Sequence, residues 1–423
     1  MAGPSEGDDV ENPFAGRCVL VVSTNYAPEH AGIGPYSAQI AEHLAAVGAD
    51  THVLTGMPHY PAWRVHADYR RRWRVRESLA GVTVHRRRHT VPSRQTAVRR
   101  ALYEATVLVH GALAPVGIRP DVVLTQMPTL AGGLLGHRAA RRAGAPHVVV
   151  VQDLMGAAAR QSGIPGGGRA AALATALEGR VLRGAAAVGV VHESFVEPVV
   201  ALGVDRRRVH TVPNWVHVPA ARQDRAGVRA RLGWPAEATV VLHAGNMGLK
   251  QGLEVLVEAA RLADGEGGGV HVVVMGDGSQ RERLAALGAD VSCLEIRPPV
   301  AAEEFPEVLA AADVLVVTQR ASVTDMSLPS KLTSYFATGR PVVASVAADG
   351  GTAREVTRSG AGVVVPAEDP RALLDAVRQL AEDGPRAAGL GARGPRYVEE
   401  RLSRRAGLDR VTSLLAGTMS HPA

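Results

Sequence analysis

The stretch Thr239-Val-Val-Leu-His-Ala-Gly-Asn-Met-Gly-Leu-Lys-Gln-Gly-Leu-Glu254 decides the fold of the second half of the chain. Thr239 to His243 is a short, largely apolar run of the kind that forms a buried strand, and a glycine-rich loop follows it. A helical pattern then runs from Leu253 to Ala263. Strand, glycine loop and helix in that order make one β-loop-α unit of the nucleotide-binding type. The unit repeats at once: strand Val270 to Met275, turn Gly276-Asp277-Gly278, helix Arg281 to Leu287. Further strands are predicted at Val314 to Val317, Val342 to Ser345 and Ala361 to Val365.

The first half reads the same way. Cys18 to Ser23 is a strand-like run, followed by a loop holding Gly32 and Gly34 and a helix from Pro35 to Val47. Similar runs recur at Thr51 to Leu54, Asp121 to Leu124, His147 to Val151 and Ala187 to Val191. Strands alternating with helices imply parallel sheets covered on both faces. The pattern breaks over Val209 to Pro219, where Pro213, Asn214 and Pro219 precede the Arg- and Ala-rich segment Ala220 to Leu232, and a domain linker is expected there. The fold class is therefore α/β, with two Rossmann-like domains facing across a cleft. The expected boundaries are an unstructured lead-in over 1–16, domains over 17–215 and 220–395, and a C-terminal helix and tail over 396–423 packing back towards the first domain.

Composition sets outer limits. The 423 residues are 46% hydrophobic and 21% charged, enough to bury two cores. Cys18 and Cys293 are the only cysteines, which gives neither a disulfide framework nor a zinc cluster and suits a reducing cytoplasm. Met1 to Gly16 is polar and acidic, unlike a signal peptide, and no apolar run approaches the ~20 residues of a membrane helix. Charge is uneven: the first 218 residues hold 24 arginines against 16 acids. Within them Arg64 to Arg100 contains 12 arginines and two acids, with Trp63, Tyr69, Trp73 and Tyr103 in or beside it. That patch reads as a solvated face, as a surface for anionic lipid headgroups, or as a site for an anionic soluble acceptor. No nucleic-acid-binding module accompanies it.

Lysine is nearly absent. Lys250 and Lys331 are the only two in an arginine-rich chain. Arginine replaces lysine wherever solvation or a long-range field is wanted, but not where a compact ammonium must fit between oxygens. Either the two survive by chance at exposed positions, or they mark a site. Lys250 follows the strand ending at His243, and Lys331 lies in Leu328-Pro329-Ser330-Lys331-Leu332 before a helix, so both are expected at strand ends in one crevice, where free helix amides and ammonium groups cradle a diphosphate. Gly32-Ile33-Gly34 lets backbone amides approach a phosphate or sugar, or is a plain tight turn. Gly276-Asp277-Gly278 reads more simply as a turn. There is no Asp-x-Asp, no His-Glu-x-x-His and no His/Cys cluster in the sequence, so a divalent metal ligand set is not expected.

Several of these strings together resemble the family 4 glycosyltransferases, a GT-B group, and their colanic-acid-type branch in particular. They are Leu242 to Glu254, Leu328-Pro-Ser-Lys-Leu-Thr and Gly339-Arg-Pro-Val-Val-Ala in the second half. In the first half they are Asn25-Tyr-Ala-Pro-Glu-His-Ala-Gly-Ile-Gly, Pro58-His-Tyr-Pro, Val151-Gln-Asp-Leu and Val212-Pro-Asn-Trp. The resemblance spans roughly residues 18 to 400. It implies an acceptor domain followed by a nucleotide-sugar domain, and retaining, metal-independent transfer from a nucleotide-diphosphate sugar with no other cofactor. The acceptor it implies is a polysaccharide precursor, lipid-linked or not, or a small metabolite. The family's paired diphosphate cations, an Arg and a Lys, correspond here to Asn246 and Lys250, so one cation is missing and Lys331 is the substitute, with Gly245 and the Gly32 to Gly34 amides beside the phosphates. The family's two glutamates fall on Met326 and Ser334; Asp325 adjoins the first. Asp153 stands where the family orients the acceptor hydroxyl, or is a structural carboxylate. A nucleotide-sugar epimerase and a catalytically silent nucleotide-sugar binder share the architecture and are the alternatives.

Overall fold

The computed structural model describes residues 12–30, 32–92, 97–154, 167–215, 224–301, 303–323 and 331–420. The chain divides into two compact units, one running to Asn214 and resuming at Leu408, the other Trp215–Gly407.

The first unit is built on strands β1 Cys18–Val22, β2 Asp50–Gly56, β3 Arg74–Leu79, β4 Val82–Arg87, β5 Val122–Met127, β6 His147–Val151, β7 Ala187–Val190 and β8 Val209–Thr211. They lie in the order β3-β4-β2-β1-β5-β6-β7-β8, and every pairing is parallel except that of β3 with β4. The central strands are buried along nearly their whole length, as a sheet covered on both faces requires. Two elements depart from the sequence expectation. The arginine-rich stretch forms the hairpin β3–β4, in which Arg74, Arg76 and Ser78 point to solvent along the edge strand. Charged side chains there discourage pairing with another chain, and they also hide the strand's period-2 pattern. Val209–Thr211, expected to begin the linker, is instead the opposite edge strand, parallel to β7.

The second unit holds β9 Thr239–Ala244, β10 Val270–Met275, β11 Leu294–Arg297, β12 Val314–Thr318, β13 Val342–Ser345 and β14 Gly362–Val365, all parallel, in the order β11-β10-β9-β12-β13-β14. Apolar residues from both faces of this sheet pack under flanking helices, Leu242 and Leu315 clustering with the helix residue Phe336 on one side, and Val241 and Val274 with the helix residue Leu256 on the other. The Arg- and Ala-rich segment after the expected linker contains a helix. Asp224 caps Arg225–Leu232 by accepting from Gly227 N at 3.2 Å, and Gly233 closes it at φ 74°. Arg225 and Arg229 both pair with Asp313, which also accepts from Val240 N at 2.8 Å, so the helix is tied to the sheet.

Each sheet reverses its strand order once, between β1 and β5 and between β9 and β12. Ligands of doubly wound sheets bind beyond the carboxyl ends of the strands at that reversal. The Gly32–Gly34 loop follows β1 and the Gly245–Gly252 loop follows β9, so the two glycine loops sit at the two reversals.

Candidate active site

In the second unit the site is built around Lys331. It opens the helix Lys331–Ala337, and its Nζ lies 3.0 Å from Nε2 of His243 at the end of β9. His243 is fully buried, and its Nδ1 lies 3.2 Å from the carbonyl oxygen of Val316. A carbonyl only accepts, so Nδ1 carries the proton and Nε2 offers a lone pair. The ammonium donates to that lone pair. Burial and the adjacent ammonium hold the His243 imidazole well below its usual range, so it stays neutral. Burial also lowers Lys331, to about 8. A partly buried ammonium hydrogen-bonded to a neutral imidazole is stabilised by an anion placed beside it.

The floor of the site must be glycine. Gly245 has φ 146°, and a Cβ there would stand 3.2 Å from Cε and Nζ of Lys331. Gly276 has φ 152°, and its Cβ would overlap the carbonyl oxygen of Gly245. The two loops are also laced together: Gly245 N donates to Met275 O at 2.9 Å, and Met247 N to Asp277 O at 2.8 Å. Tyr335 OH accepts from Ala244 N at 2.8 Å, fixing the end of β9. Asp277 works as a turn residue, its Oδ1 accepting from Gly278 N at 2.8 Å. Asn246 is exposed on the loop.

Lys250 is placed differently from Lys331. It is exposed, on the single turn Leu249–Gln251. Arg320 holds that turn: its backbone N donates to Lys250 O at 3.0 Å and its Nε to Leu249 O at 2.8 Å, while its guanidinium pairs with Glu254 at 2.9 Å. Ser334 is buried within the helix Lys331–Ala337. Asp325, Leu328, Pro329 and Ser330 lie outside the described residues.

In the first unit, separate sequence strings meet. Glu29 is buried, and its Oε1 accepts from the backbone N of His59 at 2.7 Å and of Tyr60 at 2.8 Å, while Oε2 accepts from Asn25 at 2.9 Å. The string from Asn25 and the string from Pro58 are thus joined by one carboxylate. Gly32, at φ 65°, lies against the Tyr60 ring, and Gly34 packs on Glu29. Ile33 precedes the helix Gly34–Ala46, and its carbonyl accepts from Ser37 N at 3.0 Å. The other two strings also meet. Asn214 donates to Gln152 Oε1 at 2.9 Å, and Gln152 donates to Gln126 Oε1 at 2.8 Å, at the ends of β5 and β6 and after β8. Asp153, the next residue, is exposed.

Sequence reasoning did not single out His243, Tyr335, Arg320 or Gln152. His243 left a signal, a lone polar residue inside the aliphatic run Val240-Val-Leu-His-Ala244 immediately before the glycine.

The comparisons with known proteins agree with this architecture. The structure aligns with sucrose-phosphate synthase from Thermosynechococcus elongatus at TM-score 0.71 and 18% identity, covering 96% of this chain and 99% of that one. It aligns with WaaG, a glycosyltransferase involved in lipopolysaccharide biosynthesis, at TM-score 0.64 and 17% identity, covering 94% and 100%. The fold is that of the GT-B glycosyltransferases. Residues 31–215 match the model of the glycosyl transferase 4-like domain, and residues 238–383 that of glycosyl transferases group 1. The colanic acid biosynthesis glycosyl transferase WcaI of Escherichia coli is 31% identical over 376 residues, 85% of this chain and 91% of that protein. A GDP-mannose-dependent alpha-mannosyltransferase of Mycobacterium tuberculosis is 29% identical over 89% of this chain and 91% of its own length. The chain belongs to glycosyltransferase family 4.

Proposed function

We propose that the enzyme moves a sugar from a nucleoside-diphosphate sugar to a polysaccharide precursor or small-metabolite acceptor, with retention at the anomeric carbon and without a divalent metal at the diphosphate. The observation that carries this reading is the Lys331 ammonium, set over Gly245 and hydrogen-bonded to neutral His243. As the anomeric C–O bond breaks, its electron pair goes to the leaving diphosphate oxygen. A cation already in place stabilises that oxygen without reorganising. The acceptor hydroxyl attacks the same face and its proton passes to the leaving phosphate. Asp153, exposed at the end of β6, is assigned to orienting that hydroxyl. The names of the relatives support the substrate class, since one is named for colanic acid biosynthesis and another for dependence on GDP-mannose.

The test is release of nucleoside diphosphate from a panel of nucleotide sugars with excess chelator present, followed by NMR of the product's anomeric coupling. Transfer that survives chelation and depends on Lys331 supports the reading. Tight donor binding without turnover would instead mark a silent binder.

A peripheral membrane contact has its own observation. On the helix Ala97–Leu113, Val98, Leu102, Val109 and Leu113 are 79%, 50%, 48% and 78% exposed, and nearby Trp73 is 66% exposed. Trp73 meets His110 of this helix edge-on at 5.7 Å. Exposed Arg70, Arg71, Arg72, Arg74 and Arg76 lie in the same region of sequence. An apolar stripe with an arginine collar is suited to an anionic bilayer surface holding a lipid-linked acceptor. No helix among the described residues is long and apolar enough to cross a membrane.

A further inference from the structure

The amino-terminal ends of β1 and β2, at the other end of the strands from the Gly32–Gly34 loop, carry a second cluster of reactive side chains. In the parallel pairing Cys18 lies opposite Asp50 and Leu20 opposite His52, so side chains two residues apart put Cys18, Asp50 and His52 on one face of the sheet. One ligand atom from each, the Cys18 sulfur, an Asp50 oxygen and a His52 ring nitrogen, lie within 4.8 Å of one another. Nε2 of His52 is 3.2 Å from Asp50 Oδ1. Its other ring nitrogen, Nδ1, is 3.1 Å from Nε2 of His85 on β4, which fixes the orientation of the ring. The Cys18 backbone is clamped as well: its N donates to Asp121 Oδ2 at 2.8 Å, and its carbonyl accepts from Asp121 N at 2.7 Å.

We propose that Cys18, Asp50 and His52 form a binding site for one divalent transition-metal ion of the zinc type, with His85 as the positioning residue behind His52. A thiolate, an imidazole and a carboxylate are the donor set that selects such an ion over magnesium or calcium, and a histidine ligand held through its second nitrogen is the usual supporting arrangement. His52 is buried, Cys18 partly so and Asp50 exposed, so the three protein ligands leave a fourth position open towards water. The exposed Asp50 carboxylate supplies negative charge at the site, while Asp121 beside the Cys18 backbone pairs with Arg17 at 3.5 Å. Binding forms the metal–sulfur bond and releases the thiol proton to solvent. The ion would tie the start of β1 to the start of β2, away from the glycine loop that follows β1. Its role is to stabilise the first sheet, not to meet the diphosphate.

The experiment uses the full chain without a histidine tag, stripped with chelator and titrated with Co(II). The expected result is about one equivalent bound, with a near-ultraviolet thiolate-to-metal charge-transfer band that Zn(II) abolishes by displacement. Cys18→Ser removes the band, whereas Cys293→Ser, at a cysteine whose thiol donates to Ala260 O, keeps it. Asp50→Asn, at an exposed position that leaves folding intact, weakens binding about tenfold or more. Zn(II) raises the apparent Tm of the wild-type chain but not of Cys18→Ser. A wild-type chain that shows no thiolate band with Co(II), or a band that survives Cys18→Ser, overturns the proposal and leaves Asp50, His52 and His85 as a plain hydrogen-bonded chain.

Discussion

Lys331 carries the heaviest chemical assignment in the molecule, and its surroundings set what each substitution should do. Removing the ammonium in Lys331→Ala leaves the departing diphosphate without its buried cation, and kcat should fall about 10²- to 10³-fold with the fold intact. Lys331→Arg should not rescue it, because the larger planar guanidinium would have to fit where Nζ already lies 3.0 Å from Nε2 of the fully buried His243. The pH dependence follows from burial, which lowers the lysine from 10.5 to about 8. Between those values the folded chain binds fewer protons than the unfolded one, so this group makes stability rise with pH across that window and contributes no slope below it. Ligand binding runs the other way. Nucleoside diphosphate favours the ammonium, so calorimetry should show affinity falling as pH rises through about 8, with proton uptake on binding near pH 9. In Lys331→Ala both effects should vanish. His243→Ala removes the neutral acceptor at 3.0 Å, lowers the lysine further and should shift the alkaline limb of activity to lower pH, with His243→Gln restoring part of the shift.

At the scale of the elements, two short loops decide whether that residue is presented correctly. A side chain at Gly276 would overlap the carbonyl oxygen of Gly245, so Gly276→Ala should force the β9 loop away from Lys331 and cost about 1–3 kcal/mol, read as a lower Tm together with lost donor binding. Arg320→Ala is milder. It releases the carbonyl of Leu249 and the ion pair with Glu254, so the turn bearing Lys250 loosens, and KM for the donor should rise several-fold while kcat changes by no more than about threefold. Unchanged KM would remove Lys250 from the donor site. The same elements show what sequence can reveal. Runs such as His147–Val151 and Val270–Met275 are legible because a strand covered on both faces is a continuous apolar string. β3 and β11 are not, since no residue of either is fully buried and so neither leaves such a string. The scarcity of lysine singles out Lys250 and Lys331 alike, because any ammonium stands out in an arginine-rich chain. The acceptor for the Lys331 ammonium stayed hidden, since His243 and Lys331 are 88 positions apart and only the β9–β12 neighbourhood brings them together. Glu29 lies within the string Asn25 to Gly34, yet its partners at His59 and Tyr60 are contributed by the loop after β2.

For the whole molecule the open quantity is where it works, and charge decides the direction of the test. The chain carries a formal +6, and its first 218 residues hold the excess of arginine. The 12 arginines expected as one patch do not all face solvent. Arg86 is buried, pairs with Glu77 at 2.5 Å and stacks over Tyr69 at 5.1 Å, while Arg87 donates to Ala114 O at 2.7 Å. Those two serve the hairpin. Arg70, Arg71 and Arg72 are exposed and resolve no such structural duty beyond the Arg70 contact to Val65 O at 3.3 Å, so they are the ones to remove. Each basic residue near an anionic surface contributes about 1 kcal/mol, so replacing all three with alanine should weaken partitioning onto vesicles rich in anionic lipid by about 100-fold. High salt should mimic the substitution, because exposed charges are screened over about 10 Å at 0.1 M ionic strength. The apolar stripe separates a bilayer from a soluble anionic acceptor. Leu113→Ser with Trp73→Ala should lower vesicle binding at every salt concentration while leaving transfer to a detergent-free soluble acceptor unchanged. If that pair of substitutions leaves vesicle binding intact while the arginine replacements abolish it, the surface recognises an anion in solution and the helix Ala97–Leu113 does not enter a lipid interface.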